Sequence, residues 1–372
     1  ISLGLVGSEM CIRDSPSDPN CRKNLLQRLK DEANNGCPEF ASNDYSILNL
    51  LPSLSIAQLA KDPELRAHAT ASFPAMLAQM AAVWQPKDNY IGVWSWRDYE
   101  DQNGKLGVFG SLLWQTFGSY VRSGEAKAMA LLAASDYRVP TPILHAANQR
   151  STVYTSRLYG GSASQTGFVS GDDYILFSAC DNDNENNNWS HPYGVRWSGM
   201  TSYFWLGACS SDYAEDIRDA KNHGTNSYNM GTVQHRDSVL YAFDFTGPYP
   251  AATNVPYAQS QVPGSYTAMI NDSATGRIYL HYGKVMIAVT SSIPFNWNPN
   301  SGIWSARHTP SPGDSEFRVA VGGVGYPLVA GNPAYKSTID NANNRFAMAI
   351  ETAHPTESVS YTHLRAHETE AD

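Results

Sequence analysis

The chain reads as an α+β protein in two parts, a helical N-terminal part followed by a large antiparallel β-sandwich. Three observations carry that expectation. Apolar residues recur at steps of three and four from about Tyr45 to Ser135. After Pro140 the runs become short and rich in β-branched and aromatic residues, bounded by Gly, Pro, Asn and Asp clusters. No helical pattern separates those runs, which favours a sandwich over a βαβ fold.

In the helical part, Ser42, Asn43 and Asp44 offer N-caps to "YSILNLLPSLSIAQLA", whose Ile47, Leu48, Leu51, Leu54 and Leu59 fall mostly at helical steps. Asp62 caps a second helix, "DPELRAHATASFPAMLAQMAAVW", with Pro63 at its first position and a kink expected at Pro74. Two helices joined by so short a turn make an αα-hairpin. A third helix is expected at "LGVFGSLLWQTFGSY" and a fourth at "GEAKAMALLAA". The strand runs are "STVYTSRLYGG", "DDYILFSAC", "TSYFWLGAC", "TVQHRDSVLYAFDF", "GRIYLHYGKVMIAVT", "FRVAVGGV" and "RFAMAIET". Two of them alternate partly between apolar and polar residues, as in a sheet packed on one face. The boundary falls near "VPTPILH", which gives a helical part over 16–140 and a sandwich over 141–357.

Residues 1–15 and 358–372 stand apart. "LVGSEMCIRDS" near the start and "VSYTHLRAHE" near the end translate one DNA string in its two orientations, so both ends look like a transposase-type sequencing adapter read through as coding sequence. His363 and His367 stand four apart, the spacing of zinc ligands on a helix, but on this reading the pair is an accident of translation. The natural segment is then expected to be an internal piece of a longer gene. Without the two ends, 30 acidic side chains face 24 basic ones, a net charge of −6 in place of −9. A mildly acidic chain is not a nucleic-acid binder by bulk charge. No apolar run reaches the roughly 18 residues of a membrane span.

Twenty-one Tyr and nine Trp, with only 16% charged residues, suit a secreted or periplasmic protein that handles sugars, because aromatic faces stack on pyranose rings and amides bond hydroxyls. The competing reading is that these aromatics simply fill strands. Outside the adapter segment the cysteines are Cys21, Cys37, Cys180 and Cys209, with no C-x-x-C spacing for zinc and a number that permits two disulfides. Cys180 and Cys209 each close a strand-like run, so they bridge neighbouring strands or remain free buried thiols.

The stretches "NDYSILNLLPSLSIAQLAKDPELRAHA", "TGFVSGDDYILFSA" and "QHRDSVLYAFDF", with helices preceding strands, resemble the polysaccharide lyases that join an incomplete α/α toroid to an antiparallel β-sandwich, such as chondroitin AC, alginate and heparinase II/III-type lyases. The resemblance covers roughly residues 40–355 and is architectural. It implies a lyase that cleaves an acidic, uronate-containing polysaccharide by β-elimination. That chemistry needs a group to offset the uronate carboxylate, a Tyr or His to take the C5 proton, and a proton for the departing O4.

Candidates for those roles concentrate in polar loops. In "WSWRDYEDQNG", residues 94–104, Trp94 and Trp96 form a sugar platform, Arg97 neutralises the carboxylate and Tyr99 serves as base or acid; the competing reading is an ordinary connection with Arg97 paired to Asp98 or Glu100. In "CDNDNENNNWSHPYGVRW", residues 180–197, His191 is a base or neutraliser, and Tyr193 and Arg196 contact substrate. Tyr159 is a further catalytic candidate. Arg157, Asn43 and His235 are assigned to substrate. At most one face of the 153–159 strand is expected to reach a cleft. For His235, beside Arg236 in "VQHRDSV", a hydrogen-bonded structural role competes, and His145 and His281 read as structural. No cofactor or metal is expected; "DNDNEN" offers oxygens to a structural calcium but lacks the Gly and distal Glu of an EF-hand loop. There is no G-x-S-x-G elbow and no Walker loop, and "VGGVGYPLVAG" reads as a turn. The alternatives are an α/α-toroid glycoside hydrolase using Asp98, Glu100 or Asp101, or a non-catalytic glycan-binding or surface protein.

Overall fold

The computed structural model describes residues 19–36, 45–87, 90–91, 107–118, 127–148, 153–159, 163–180, 193–198, 204–209, 229–244, 257–292, 294, 296–298, 315–320 and 345–356. Its architecture is mixed α+β. The helices are α1 (Pro19–Asn35), α2 (Tyr45–Leu59), α3 (Pro63–Val83), α4 (Gly107–Phe117), α5 (Lys127–Ala134) and α6 (Thr141–Asn148). A two-stranded ribbon, β1 (Trp84–Gln85) with β2 (Tyr90–Ile91), interrupts them after α3. No helix among the described residues is long and apolar enough to cross a membrane.

Among the described residues a helix already runs from Pro19 to Asn35, before the expected start at Tyr45. The chain leaves α1 through Gly36, which has φ of 80° and donates its N–H to the Glu32 carbonyl at 2.9 Å. A Cβ at Gly36 would sit 1.8 Å from the Gln79 side chain, so glycine is needed for both conformation and space. Leu26 and Leu29 of α1 share an apolar cluster with Ile56, Ala60, Leu65 and Ala69 at the α2–α3 turn. The far ends of α2 and α3 meet in a second cluster, through Ile47 and Leu50 against Met76 and Met80, as the expected αα-hairpin requires. Asp62 caps α3 by accepting the N–H groups of Glu64 at 2.9 Å and Leu65 at 3.1 Å. Arg22 of α1, 2.7 Å from that carboxylate, holds Asp62 below the usual carboxylate range. The helix runs to Val83 with Pro74 inside it. Trp84, expected as its last residue, is extended instead and opens β1.

The remaining strands form two antiparallel sheets. The eight-stranded sheet contains β3 (Val153–Tyr159), β4 (Ala163–Ser170), β5 (Tyr174–Cys180), β6 (Tyr193–Trp197), β7 (Phe204–Cys209), β10 (Tyr257–Val262), β14 (Asn296–Asn298) and β15 (Ser315–Ala320). Its spatial order is β14-β15-β10-β7-β6-β5-β4-β3. The six-stranded sheet contains β8 (Asn229–His235), β9 (Ser238–Asp244), β11 (Ala268–Asp272), β12 (Arg277–His281), β13 (Met286–Ser291) and β16 (Arg345–Ala353), in the order β11-β12-β13-β16-β9-β8. Cys180 and Cys209 lie on β5 and β7, which β6 separates. Two strand spacings of about 4.8 Å exceed the Cα separation of about 7 Å that a disulfide spans, which corrects the expectation of a bridge between neighbouring strands. Among the described residues Cys21 takes part in no disulfide.

Strand β5 organises both cores. Tyr174 and Leu176 join an apolar layer shared with the six-stranded sheet, where they meet Tyr241, Ile287, Val289 and Met348. Ile175 and Phe177, on the opposite face, join the helical core with Leu77, Met80, Trp84 and Leu112. Both faces are covered here, so β5 is a continuous apolar run. Val169, Ile175 and Phe177 together bring roughly 5–9 kcal/mol of gross apolar burial, at about 1.5–3 kcal/mol each, to the contact between helices and sheet. Next to them, a Cβ at Gly194 would lie 2.3 Å from the Phe177 ring. Gly194→Ala is therefore expected to destabilise the protein by about 1–3 kcal/mol through overpacking, read as a lower urea midpoint.

Candidate functional site

The strongest candidate site lies where the helical core meets the eight-stranded sheet, because two strand-borne contacts fix the chain there just before the tryptophan-rich loop. Gln85 of β1 is fully buried and donates from Nε2 to the Gly171 carbonyl at 3.1 Å, in the β4–β5 turn. Arg196 of β6, 3% exposed, reaches from Nη1 to the Ile91 carbonyl at 3.5 Å. Ile91 ends β2 three residues before Trp94. The end of β2, which precedes the 94–104 stretch in sequence, is thus seated on β6. The segment that follows β5 and contains His191 re-enters the sheet at Tyr193, at the start of that same strand. Tyr193 and Arg196 are three steps apart along the strand, about 10 Å of extended chain.

Register places further candidates on this face. Ile175 pairs with Arg196, Phe177 with Gly194 and with Gly167, and Gly167 with Thr155. Residues directly opposite in an antiparallel pair share a face, and the face alternates along each strand. Arg157, paired with Gln165, and Tyr159, paired with Ala163, therefore occupy the face that carries Phe177 and the helical core. Tyr193 pairs with Ser178, whose hydroxyl bonds Gln234 of β8, so it belongs to the opposite face. Arg196, expected at substrate, makes its contact with the main chain of β2. Trp94, Trp96, Arg97, Tyr99, His191 and Asn43 lie outside the described residues, as do "DNDNEN" and Cys37.

His235 stands elsewhere, at the exposed end of β8 on the six-stranded sheet, beside Ser238 in register. Alternation was expected to turn His235 or Arg236 inward. It turns Gln234 inward instead, which bonds Ser178 at 2.6 Å and the Leu176 carbonyl at 3.2 Å. Arg236 takes a left-handed φ of 51° in the β8–β9 turn, and both it and His235 are exposed. His281, expected as structural, has Nδ1 2.9 Å from the hydroxyl of Thr267, just before β11. Tyr137, on the other hand, is no candidate base: burial pushes its phenol up to about 12, which keeps the proton on oxygen.

One polar cluster had no signal in the sequence. Asp173, in the β4–β5 turn, accepts from the Lys284 ammonium at 2.8 Å and lies 2.9 Å from Nε2 of His354. Nδ1 of His354 in turn faces Thr356 at 2.6 Å. The three side chains come from three turns more than sixty residues apart and tie the ends of the two sheets together. Partial burial pulls the Asp173 carboxyl up, but Lys284 and His354 outweigh it and leave it below its usual value. A carboxylate depressed in the folded state stabilises the protein above the unfolded-state value of about 3.9, and that contribution is lost as the pH falls through the lower folded value. Asp173→Asn should accordingly flatten the acid limb of the melting-temperature profile; an unchanged acid limb would show that the cluster carries no such coupling. Among the described residues, no group of three or more His, Cys, Asp or Glu side chains is placed to hold a metal ion.

The chain is similar to three solved structures at low identity. These are a heparinase III (TM-score 0.39, 10% identity, covering 93% of this chain and 60% of that one), a second heparinase III gene product (0.42, 10%, 91% and 57%) and the heparan sulfate lyase HepC from Pedobacter heparinus (0.43, 11%, 93% and 57%). The chain spans less than two thirds of the length of each. No protein-family model and no curated protein matches the sequence.

Proposed function

We propose that this chain is part of a polysaccharide lyase that cleaves an acidic, uronate-containing glycan by β-elimination, with residues 16–140 forming part of an α/α toroid and 141–357 a β-sandwich. The observation that carries the reading is the convergence on β6: the 94–104 segment leaves from a stem held by Arg196, and the segment containing His191 ends at Tyr193 of the same strand. Two polar, aromatic-bearing segments that lie far apart in sequence thereby start from one place. Arg157 and Tyr159 share the face on which that stem is seated.

In this reading Arg97 pairs with the uronate carboxylate and offsets its charge, which lowers the cost of forming negative charge at C5. Tyr99 takes the C5 proton or returns one to O4, with His191 or Tyr159 as the complementary group. Trp94 and Trp96 hold a sugar face. The protein is placed outside the cytoplasm, where such glycans occur, and residues 1–15 and 358–372 take no part. A substrate deuterated at C5 tests the proton step. Elimination predicts that turnover slows several-fold with deuterium, whereas a hydrolase, which never breaks that bond, keeps its rate.

A further inference from the structure

The two contacts that seat the ribbon β1–β2 on the eight-stranded sheet converge on one turn. Gln85 donates to the carbonyl of Gly171, two residues before Asp173 in the β4–β5 turn. Arg196, which reaches the Ile91 carbonyl, lies two residues before Ser198, whose N–H donates to the Asp173 carbonyl at 3.0 Å. Gln85 is fully buried and its Oε1 has no partner among the described residues, so the bond from Nε2 to Gly171 is what ties this side chain to the sheet. Both anchors of the ribbon are therefore set by where the β4–β5 turn sits.

Asp173 fixes that turn with every polar group it has. Its N–H donates to the Ser170 carbonyl at 3.0 Å and closes the turn, and its carbonyl takes the end of β6. Its two carboxylate oxygens reach the other sheet, Oδ1 to the Lys284 ammonium in the β12–β13 turn at 2.8 Å and Oδ2 to Nε2 of His354 after β16 at 2.9 Å. The His354 ring is itself set. Its Nδ1 accepts the Thr356 N–H at 3.2 Å, which leaves Nε2 to carry the proton that Asp173 accepts. The side chains of Asp173, Lys284 and His354 are 25%, 43% and 26% exposed. Pairs so open to solvent add little to global stability. What they supply is a fixed place for the turn.

We infer that Asp173 is a positioning residue for the candidate site. Held by Lys284 and His354, it fixes the β4–β5 turn and the end of β6, and through Gly171 and Arg196 it sets the ribbon β1–β2, which precedes the 94–104 stretch in sequence. Only the assignment of chemistry to 94–104 comes from the preceding reading; the link from Asp173 to the ribbon does not depend on it.

Hydrogen exchange in the full chain, followed by mass spectrometry, tests the link. Asp173→Asn, which keeps the shape and removes the charge, should speed exchange in peptides covering the ribbon about tenfold and leave α1, whose apolar residues pack in a separate cluster, unchanged. Asp173→Glu should recover part of the protection, because it restores the carboxylate. Gln85→Met removes the bond to Gly171; added to it, Asp173→Asn should speed the ribbon less than it does alone. Equal acceleration of α1 and the ribbon would reduce Asp173 to a general stabiliser, and an unaffected ribbon or fully additive variants would break the link; each of these results overturns the proposal. In a protein that yields unsaturated product, Asp173→Asn should also lower kcat/KM, and an unchanged value would remove the positioning role. A protein that yields no such product fails the lyase reading instead, and exchange still decides the link.

Discussion

Tyr99→Phe is expected to collapse turnover by about 10²–10⁴-fold while substrate affinity, measured by calorimetry, stays close to that of the unaltered protein. The substitution keeps the ring and removes only the phenolic proton, so binding through the ring survives and the proton transfer does not. A loss in kcat with KM preserved marks an interaction made in the transition state alone. Arg97→Ala should differ in kind, weakening both binding and turnover, because the uronate carboxylate is present before and during the reaction. Full activity in Tyr99→Phe, with His191→Ala or Tyr159→Phe inactive, would move the proton carrier to one of those residues.

The largest effect on stability is expected at Glu32. Its carboxylate is 3% exposed and accepts from Ser53 of α2 at 2.9 Å, Ser72 of α3 at 3.3 Å and Arg28 of its own helix at 2.9 Å. One side chain thus fastens three helices. Glu32→Ala removes the shared acceptor and leaves two buried hydroxyls to find other partners, at a cost of about 3 kcal/mol or more. The urea midpoint should fall accordingly, and Glu32→Gln, which keeps an acceptor oxygen, should cost less. A Glu32→Ala protein as stable as its parent would mean that α1 is held by Leu26 and Leu29 alone.

That helix shows where sequence reasoning stopped short. Asp18 before Pro19 and Asn35 before Gly36 are ordinary start and stop signals, and Leu25, Leu26 and Leu29 supply a stripe. The stripe is narrow and its flanks are charged, so the pattern is weaker than in α2 and α3, whose apolar faces are wide and whose caps were legible. Among strands, those with a buried face on each side, such as β5, declared themselves through unbroken apolar runs. β6, β10 and β14 did not. "YAQSQV" of β10 has three polar residues in succession, Gln259, Ser260 and Gln261, and so shows no apolar period, and "NWN" of β14 is too short to show one.

Candidate site residues were legible as types and not as partners. The aromatic and charged loops stood out by composition, and the face shared by Arg157 and Tyr159 followed from strand alternation. The seating of β2 on Arg196 had no such signal, since a contact between residues 91 and 196 depends on how two layers pack. The Asp173–Lys284–His354 cluster was invisible for the same reason: each residue sits in a turn that looks ordinary in isolation.

The account stands most directly on the stoichiometry of cleavage. The protein, incubated with polyuronates or glycosaminoglycans, should generate one C4–C5 double bond, read by ultraviolet absorbance, for every new reducing end. Reducing ends that accumulate without that absorbance would contradict elimination and make the protein a hydrolase.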